Sequence, residues 1–151
     1  MVFSKVEDYI VDHILEHFNY LKFRTLNQTS VTCTVSKTGY QTGNAITPFL
    51  KKELTPILKE LSQQETNFTY MHVVEYHAGD YQGLHDHSHS DKYSFILYLN
   101  DADGDTIFQY ANNRIVRIAP EKGKIVVFNA DILHGSEPTT GLRLVAAGKS
   151  E

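Results

Sequence analysis

The chain has no tryptophan, a single cysteine, four prolines and, in 151 residues, no uninterrupted apolar run of bilayer length. Each shortage excludes something. One cysteine, Cys33, cannot form an internal disulfide, which suits a reducing compartment and leaves Cys33 as a small strand hydrophobe. Residues 1–18 carry acids inside their apolar pattern, which argues against a secretory signal or a membrane span, so a cytoplasmic location is expected. Net charge is −4 and the basic residues are scattered. No electrostatic footprint for nucleic acid or for an anionic membrane surface results. The length suits one domain, residues 1–151, able to bury a core without disulfides or a structural metal.

What is present divides into a helical start and a β-rich remainder. Val6, Tyr9, Ile10, Ile14, Phe18 and Leu21 recur at three- and four-residue spacing and predict a helix over residues 4–22. His13 and His17 lie on it at i, i+4, where a solvated face is the expected reading. Val31, Cys33 and Val35 alternate with Thr32 and Thr34, the period of a strand over residues 30–36. The run KTGYQTGN follows as a loop. Thr47 before Pro48 marks the start of a second helix, with Phe49, Leu50, Leu54, Ile57, Leu58 and Leu61 as its apolar face and a kink or break expected near Pro56. Residues 70–77, 93–100, 106–110, 114–118, 124–129 and 143–147 read as strands separated by Gly, Asp, Asn or Pro. Six or more short strands suggest a β-sandwich or barrel with the two helices packed outside.

The chemistry concentrates in His85, His87 and His89, three histidines in five residues, and in a fourth, His134. Neutral imidazole is the commonest protein ligand for iron, zinc, copper and nickel. Alternate residues of an extended chain project to one side, so an H-x-H pair at a strand end can aim two nitrogens at one ion. A histidine-rich surface loop without function is the plain alternative.

Further residues form an ordered series with these. Tyr76-x-x-Gly79 is followed by His85, Tyr98-Leu99-Asn100-Asp101, Gly104-x-Thr106-x-Phe108, Pro120-x-x-Gly123, Phe128 and His134-x-x-x-Pro138-x-x-Gly141-x-Arg143. Over residues 76–143 the series resembles the 2-oxoglutarate- and Fe(II)-dependent dioxygenases, in their prolyl-4-hydroxylase-like branch. The resemblance implies a mainly β fold, a double-stranded β-helix or jelly-roll, with about two N-terminal helices outside it. It implies Fe(II) as cofactor, 2-oxoglutarate as cosubstrate and ascorbate as an auxiliary reductant. It also implies hydroxylation of a prolyl or other peptidyl or amino-acid C–H bond, coupled to decarboxylation of 2-oxoglutarate to succinate. The expected partners are that cosubstrate, dioxygen and a peptide or small-molecule prime substrate. By the same resemblance His85 and His134 match iron ligands, and Tyr76, Tyr98 and Arg143 match the residues that hold 2-oxoglutarate. Arginine has a physical reason at position 143, because a buried dicarboxylate needs a permanently charged, forked partner at its far end.

The departure is at the carboxylate. The family motif is H-x-D, and two residues after His85 this chain has His87. A third imidazole would remove none of the metal's charge and leave the centre more Lewis-acidic. Three readings follow: a His85–His87–His134 triad, Asp91 reaching back as the carboxylate, or a motif slid to His89-Ser90-Asp91. The slide puts His89 ten residues after Gly79 where the family spacing is six, which disfavours it. Asp86 would point away from an ion that His85 and His87 face. The segment Gly79-x5-His85-x-His87-x3-Asp91 also resembles the first cupin motif, so a cupin-like metalloprotein with three histidines, catalytic without oxoglutarate or merely binding, is the alternative. Its second motif fails, since His134 is eleven positions after Gly123 where that pattern has three. Prime-substrate specificity is expected in loops over residues 36–46 and 87–92, around an open cleft suited to an extended peptide.

Overall fold

The computed structural model describes residues 1–24, 28–32, 36–42, 44–63, 67–86 and 92–150, with side chains placed in all of these except 23–44. The chain runs β1 (Val2–Lys5), α1 (Asp8–Arg24), β2 (Gln28–Thr32), β3 (Ser36–Thr42), a 3-10 turn (Asn44–Ile46), α2 (Thr47–Ser62), β4 (Phe68–Tyr76) and β5 (Tyr81–His85). It continues through β6 (Tyr93–Tyr98), β7 (Thr106–Gln109), β8 (Ile115–Ile118), β9 (Lys124–Asn129), β10 (Leu133–Ser136) and β11 (Arg143–Ser150). The pairing order is β1-β9-β6-β11-β4-β3-β5-β10-β7-β8, with β2 against β3, and every pair is antiparallel. β3 joins two halves by pairing with both β4 and β5.

Period-two alternation sorts the larger half into two faces. Met71 and Val73 of β4, Phe95 and Leu97 of β6, and Ile125 and Val127 of β9 pack on Ile14 and Phe18 of α1 and on Leu50, Leu54 and Leu58 of α2. Each such burial contributes roughly 1.5–3 kcal/mol, so both helices are held against one face. The opposite face, with Val74, Tyr76, Tyr98, Val126, Phe128 and Val145, turns inward toward Phe108 and Ile118 of the smaller half. That inner space is only partly filled, and the site lies there.

Several local expectations change. The first helix starts at Asp8, because residues 2–5 form β1 against β9, with Val2 opposite Val127. His13 is exposed as expected, but His17 is half-buried with its ring stacked on Phe49 at 4.1 Å. The strand expected over residues 30–36 is divided, 30–32 falling in β2 and Ser36 opening β3, while Cys33 lies outside the described residues. Residues 37–42, read as a loop from their glycine, are strand: Tyr40 pairs with Glu75 and Lys37 with Tyr81. Backbone pairing on both sides stabilises β3 without an apolar alternation. Thr47 and Pro48 do open α2, although the Thr47 hydroxyl donates to the Met71 carbonyl instead of capping the helix. The helix also continues through Pro56. A proline inside a helix costs about 3 kcal/mol, and burying the row Leu50, Leu54 and Leu58 exceeds that. Among the described residues no helix is long and apolar enough to cross a membrane.

Candidate active site

Two short strands from the smaller half bring the candidate ligands together. His85 ends β5 and pairs in register with His134 of β10, and their ring centroids are 4.3 Å apart. The strands approach closely at Gly135, where a Cβ would meet the Gln82 carbonyl oxygen at 2.6 Å. Each imidazole is oriented by its own chain, with His85 Nδ1 2.8 Å from the Gly83 carbonyl and His134 Nδ1 2.9 Å from the Ile132 carbonyl. A carbonyl only accepts, so both Nδ1 atoms carry the proton and Nε2 is the unprotonated nitrogen, the one that can ligate a metal. His134 is buried beside the ring of Phe128, 4.8 Å away. This donor set fits a ferrous ion.

Among the described residues no group of three or more His, Cys, Asp or Glu converges on one point. His87, His89 and Asp91, which bear the question of the third ligand, lie outside the described residues. Asp86 is exposed while its neighbour His85 is half-buried.

The pair opens on a cavity of about 200 Å³ between the two halves. At one end of it β11 begins with Arg143, opposite Tyr76 in register and 1% exposed. Its Nη1 donates to the carbonyls of Gly104 (2.7 Å) and Glu137 (2.9 Å), and its guanidinium carbon stands 4.3 Å from the centre of the Tyr76 ring. Among the described residues Nε and Nη2 have no partner. Burial pushes this pKa down, yet guanidinium stays charged in proteins. A buried cation with two orphaned donors is a receptor for an anion, which fits the distal carboxylate of 2-oxoglutarate.

The tyrosines depart from expectation in detail. Tyr98 donates to the Thr106 hydroxyl at 2.5 Å, and burial pushes its pKa up to about 12. Tyr76 lines the cavity and donates to Gln82 Oε1 at 3.4 Å, its pKa also raised by burial. The cavity surface at this end is made by Tyr76 and Thr106, with Arg143 and Tyr98 directly behind it. Thr106 belongs to the Gly104-x-Thr106-x-Phe108 element of the series, to which the sequence attaches no role. Its buried hydroxyl instead accepts from Tyr98 and faces the cavity, where it can pass a hydrogen bond to a ligand.

The turns behind Arg143 are held by Asp103. Asp103 accepts from the Thr140 hydroxyl, the Thr140 amide (2.8 Å) and the Thr139 hydroxyl (2.8 Å). These bonds, those from Thr140 foremost, pull its carboxyl down to about 2. Gly104 beside it has φ +78°, and a Cβ there would lie 2.6 Å from Arg143 Nη1 and 2.8 Å from the Pro138 carbonyl oxygen. Gly104→Ala is therefore expected to lower stability by roughly 2–5 kcal/mol, combining left-handed strain with overpacking. A urea midpoint within experimental error of the parent would refute this packing.

Comparison with known proteins agrees with the geometry. The profile of the 2OG-Fe(II) oxygenase superfamily matches residues 71–148, just over half of the chain. Among solved structures the chain is similar to a Pseudomonas putida prolyl-4-hydroxylase, with 16% identity over 99% of this chain and 91% of that one and a TM-score of 0.75. It is also similar to a Trichoplax adhaerens prolyl hydroxylase in complex with a hypoxia inducible factor oxygen degradation domain peptide fragment (14% identity, 98% and 82% covered, TM-score 0.72). A third is a non-heme alpha ketoglutarate dependent epimerase from nogalamycin biosynthesis (11% identity, 99% and 77% covered, TM-score 0.77). At such identities the likeness is one of fold, and it bears out the double-stranded β-helix with two helices outside. No curated protein matches the chain.

Proposed function

The chain belongs to the 2OG-Fe(II) oxygenase superfamily, whose cofactor is Fe(II) and whose cosubstrate is 2-oxoglutarate, and from that premise we propose that it acts as a single-domain hydroxylase of a prolyl or other peptidyl or amino-acid C–H bond. The observation that carries this reading is the facing pair His85 and His134, tautomerically poised, in a cavity whose closed end backs onto Arg143. When bound, the iron and 2-oxoglutarate would activate dioxygen, the oxidant, with one oxygen atom going to 2-oxoglutarate as it becomes succinate and carbon dioxide and the other to the substrate C–H bond.

The protein's own residues bind and orient. His85 and His134 hold the metal through Nε2. Arg143 Nε and Nη2 take the distal carboxylate once the Tyr76 ring turns off the guanidinium, and the Tyr98–Thr106 pair donates to the same group. Burial keeps both tyrosines neutral, so they act as donors. Val74, Val145 and Phe128 line the cavity and exclude water from the metal's surroundings. About 200 Å³ is below the ~300 Å³ low end for pockets that enclose drug-sized ligands. Beyond the cosubstrate, such a space suits one inserted side chain or a small amino acid. His87 is the proposed third ligand, with Asp91 as its competitor.

Anaerobic Fe(II) plus 2-oxoglutarate is expected to give the weak visible charge-transfer band of a chelate, and air is expected to yield succinate. No band and no succinate would sink the reading. His87→Ala is expected to abolish the band while Asp91→Ala retains it; the reverse result assigns the third position to the carboxylate.

A further inference from the structure

Six residues beyond Arg143 along β11 the cavity wall carries Lys149, and the register places Lys149 opposite Tyr70 of β4 and opposite Ser94 of β6. The three form one cross-strand row, and all of them line the cavity. Exposure rises along β11 from buried Arg143 to half-buried Lys149, so the row stands at the mouth. Six residues of strand span roughly 20 Å. A five-carbon dicarboxylate anchored at Arg143 ends well short of it, and the row is left to the other substrate.

Its chemistry is that of an anion receptor. Ser94 is 4% exposed and lines the cavity, and its buried hydroxyl has no hydrogen-bond partner among the described residues. Leaving a buried hydroxyl unpaired costs about 1–3 kcal/mol, which a ligand oxygen would relieve. Burial raises the Tyr70 pKa, so its hydroxyl is a neutral donor. Among the described lining residues Lys149 is the lysine or arginine, and none is acidic. One cation flanked by two hydroxyls matches a carboxylate in charge and in donor number.

We propose, on the basis of the oxygenase reading above, that Lys149, Tyr70 and Ser94 bind a carboxylate of the prime substrate and hold the C–H bond to be oxidised between that row and the His85–His134 pair. The carboxylate is either the α-carboxylate of an amino acid or an acidic side chain in a peptide.

The test pairs acids with their amides. N-acetyl amino acids are compared with N-acetyl amino-acid amides, and Pro-Glu with Pro-Gln inside capped tetrapeptides. Each is titrated by NMR into the metal-free full chain, and again into the Fe(II)- and 2-oxoglutarate-loaded protein without oxygen. The acid of a pair is expected to bind about tenfold more tightly than its amide, the low end for a charge-assisted hydrogen bond. The series that shows the preference identifies the source of the carboxylate. In Lys149→Met the preference should fall to about twofold with 2-oxoglutarate affinity unchanged. Ser94→Ala, which keeps the cation and the strand, should weaken acids about threefold and leave amides alone, and it stands as the second variant if Lys149→Met folds poorly. Equal binding of acids and amides, no binding by either series, or a Lys149→Met protein that loses 2-oxoglutarate instead would overturn the proposal. An acid preference that persists where 2-oxoglutarate fails to bind would uphold the row and overturn the oxygenase reading.

Discussion

His134→Ala is expected to lower Fe(II) affinity by more than about 100-fold and to remove succinate production with it, since even outer partners of metal ligands are worth 10–100-fold. The ring is held by its Nδ1–H to the Ile132 carbonyl and by the edge-on Phe128 ring. Nothing else in β10 can take its place, because Leu133 and Gly135 project or pack elsewhere and Ser136 is two positions deeper. The substitution also empties a buried site, so the melting of the metal-free protein has to be followed beside metal affinity. His85→Ala should give the same loss of iron with a smaller effect on stability, since His85 is half-buried and His134 is 6% exposed. If His134→Ala bound Fe(II) within a few-fold of the parent, the paired histidines would be structural and the proposed metal centre would be wrong.

The sequence made one layer of this arrangement legible. β4, β6 and β9 carry apolar residues on both faces or in clear alternation, and period two groups Tyr76 with Val74 and Tyr98 with Ile96, while the family resemblance implies that these faces turn inward. The strands that carry the histidines were harder to see. β5 is YQGLH and β10 is LHGS, short, polar and glycine-bearing, because one strand face borders a cavity and Gly135 permits close approach of the other backbone. β1 and β3 escaped for a related reason. Each is stabilised by backbone pairing with neighbours that only the folded chain supplies, and glycine in KTGYQTGN reads locally as a turn. The site shows the same division. Arg143 and His134 were found through a spaced motif, whereas Lys149 and Ser94 belong to no motif and emerge from register. Their strand faces were nonetheless readable: 143, 145, 147 and 149 share one side of β11 once its length is known.

Arg143→Met separates binding from stability more sharply than any other change. In the metal-free, ligand-free protein the substitution removes two charge-assisted bonds from Nη1, about 1.5–3 kcal/mol each, and the stacking on Tyr76, about 2 kcal/mol. Against this it removes a desolvated cation with two unpaired donors, at about 1–3 kcal/mol apiece or more. A buried charge replaced by a well-packed apolar chain is often neutral or stabilising. The terms nearly cancel, and the melting temperature is expected to stay within about 8 °C of the parent. Binding has no such compensation. Saturating the parent at about 100 times its dissociation constant adds about 2.7 kcal/mol, a rise of several degrees. A 100-fold loss of affinity in Arg143→Met would cut that to about 0.4 kcal/mol at the same concentration. Arg143→Lys should fall between, since a point charge cannot reproduce the fork. Fe(II) affinity should be retained in both variants, because Arg143 reaches the chain that follows β10 at the Glu137 carbonyl, three residues beyond His134. A protein that kept its 2-oxoglutarate-induced thermal shift but lost iron would refute the role given to Arg143 and reverse the direction in which the cavity is read.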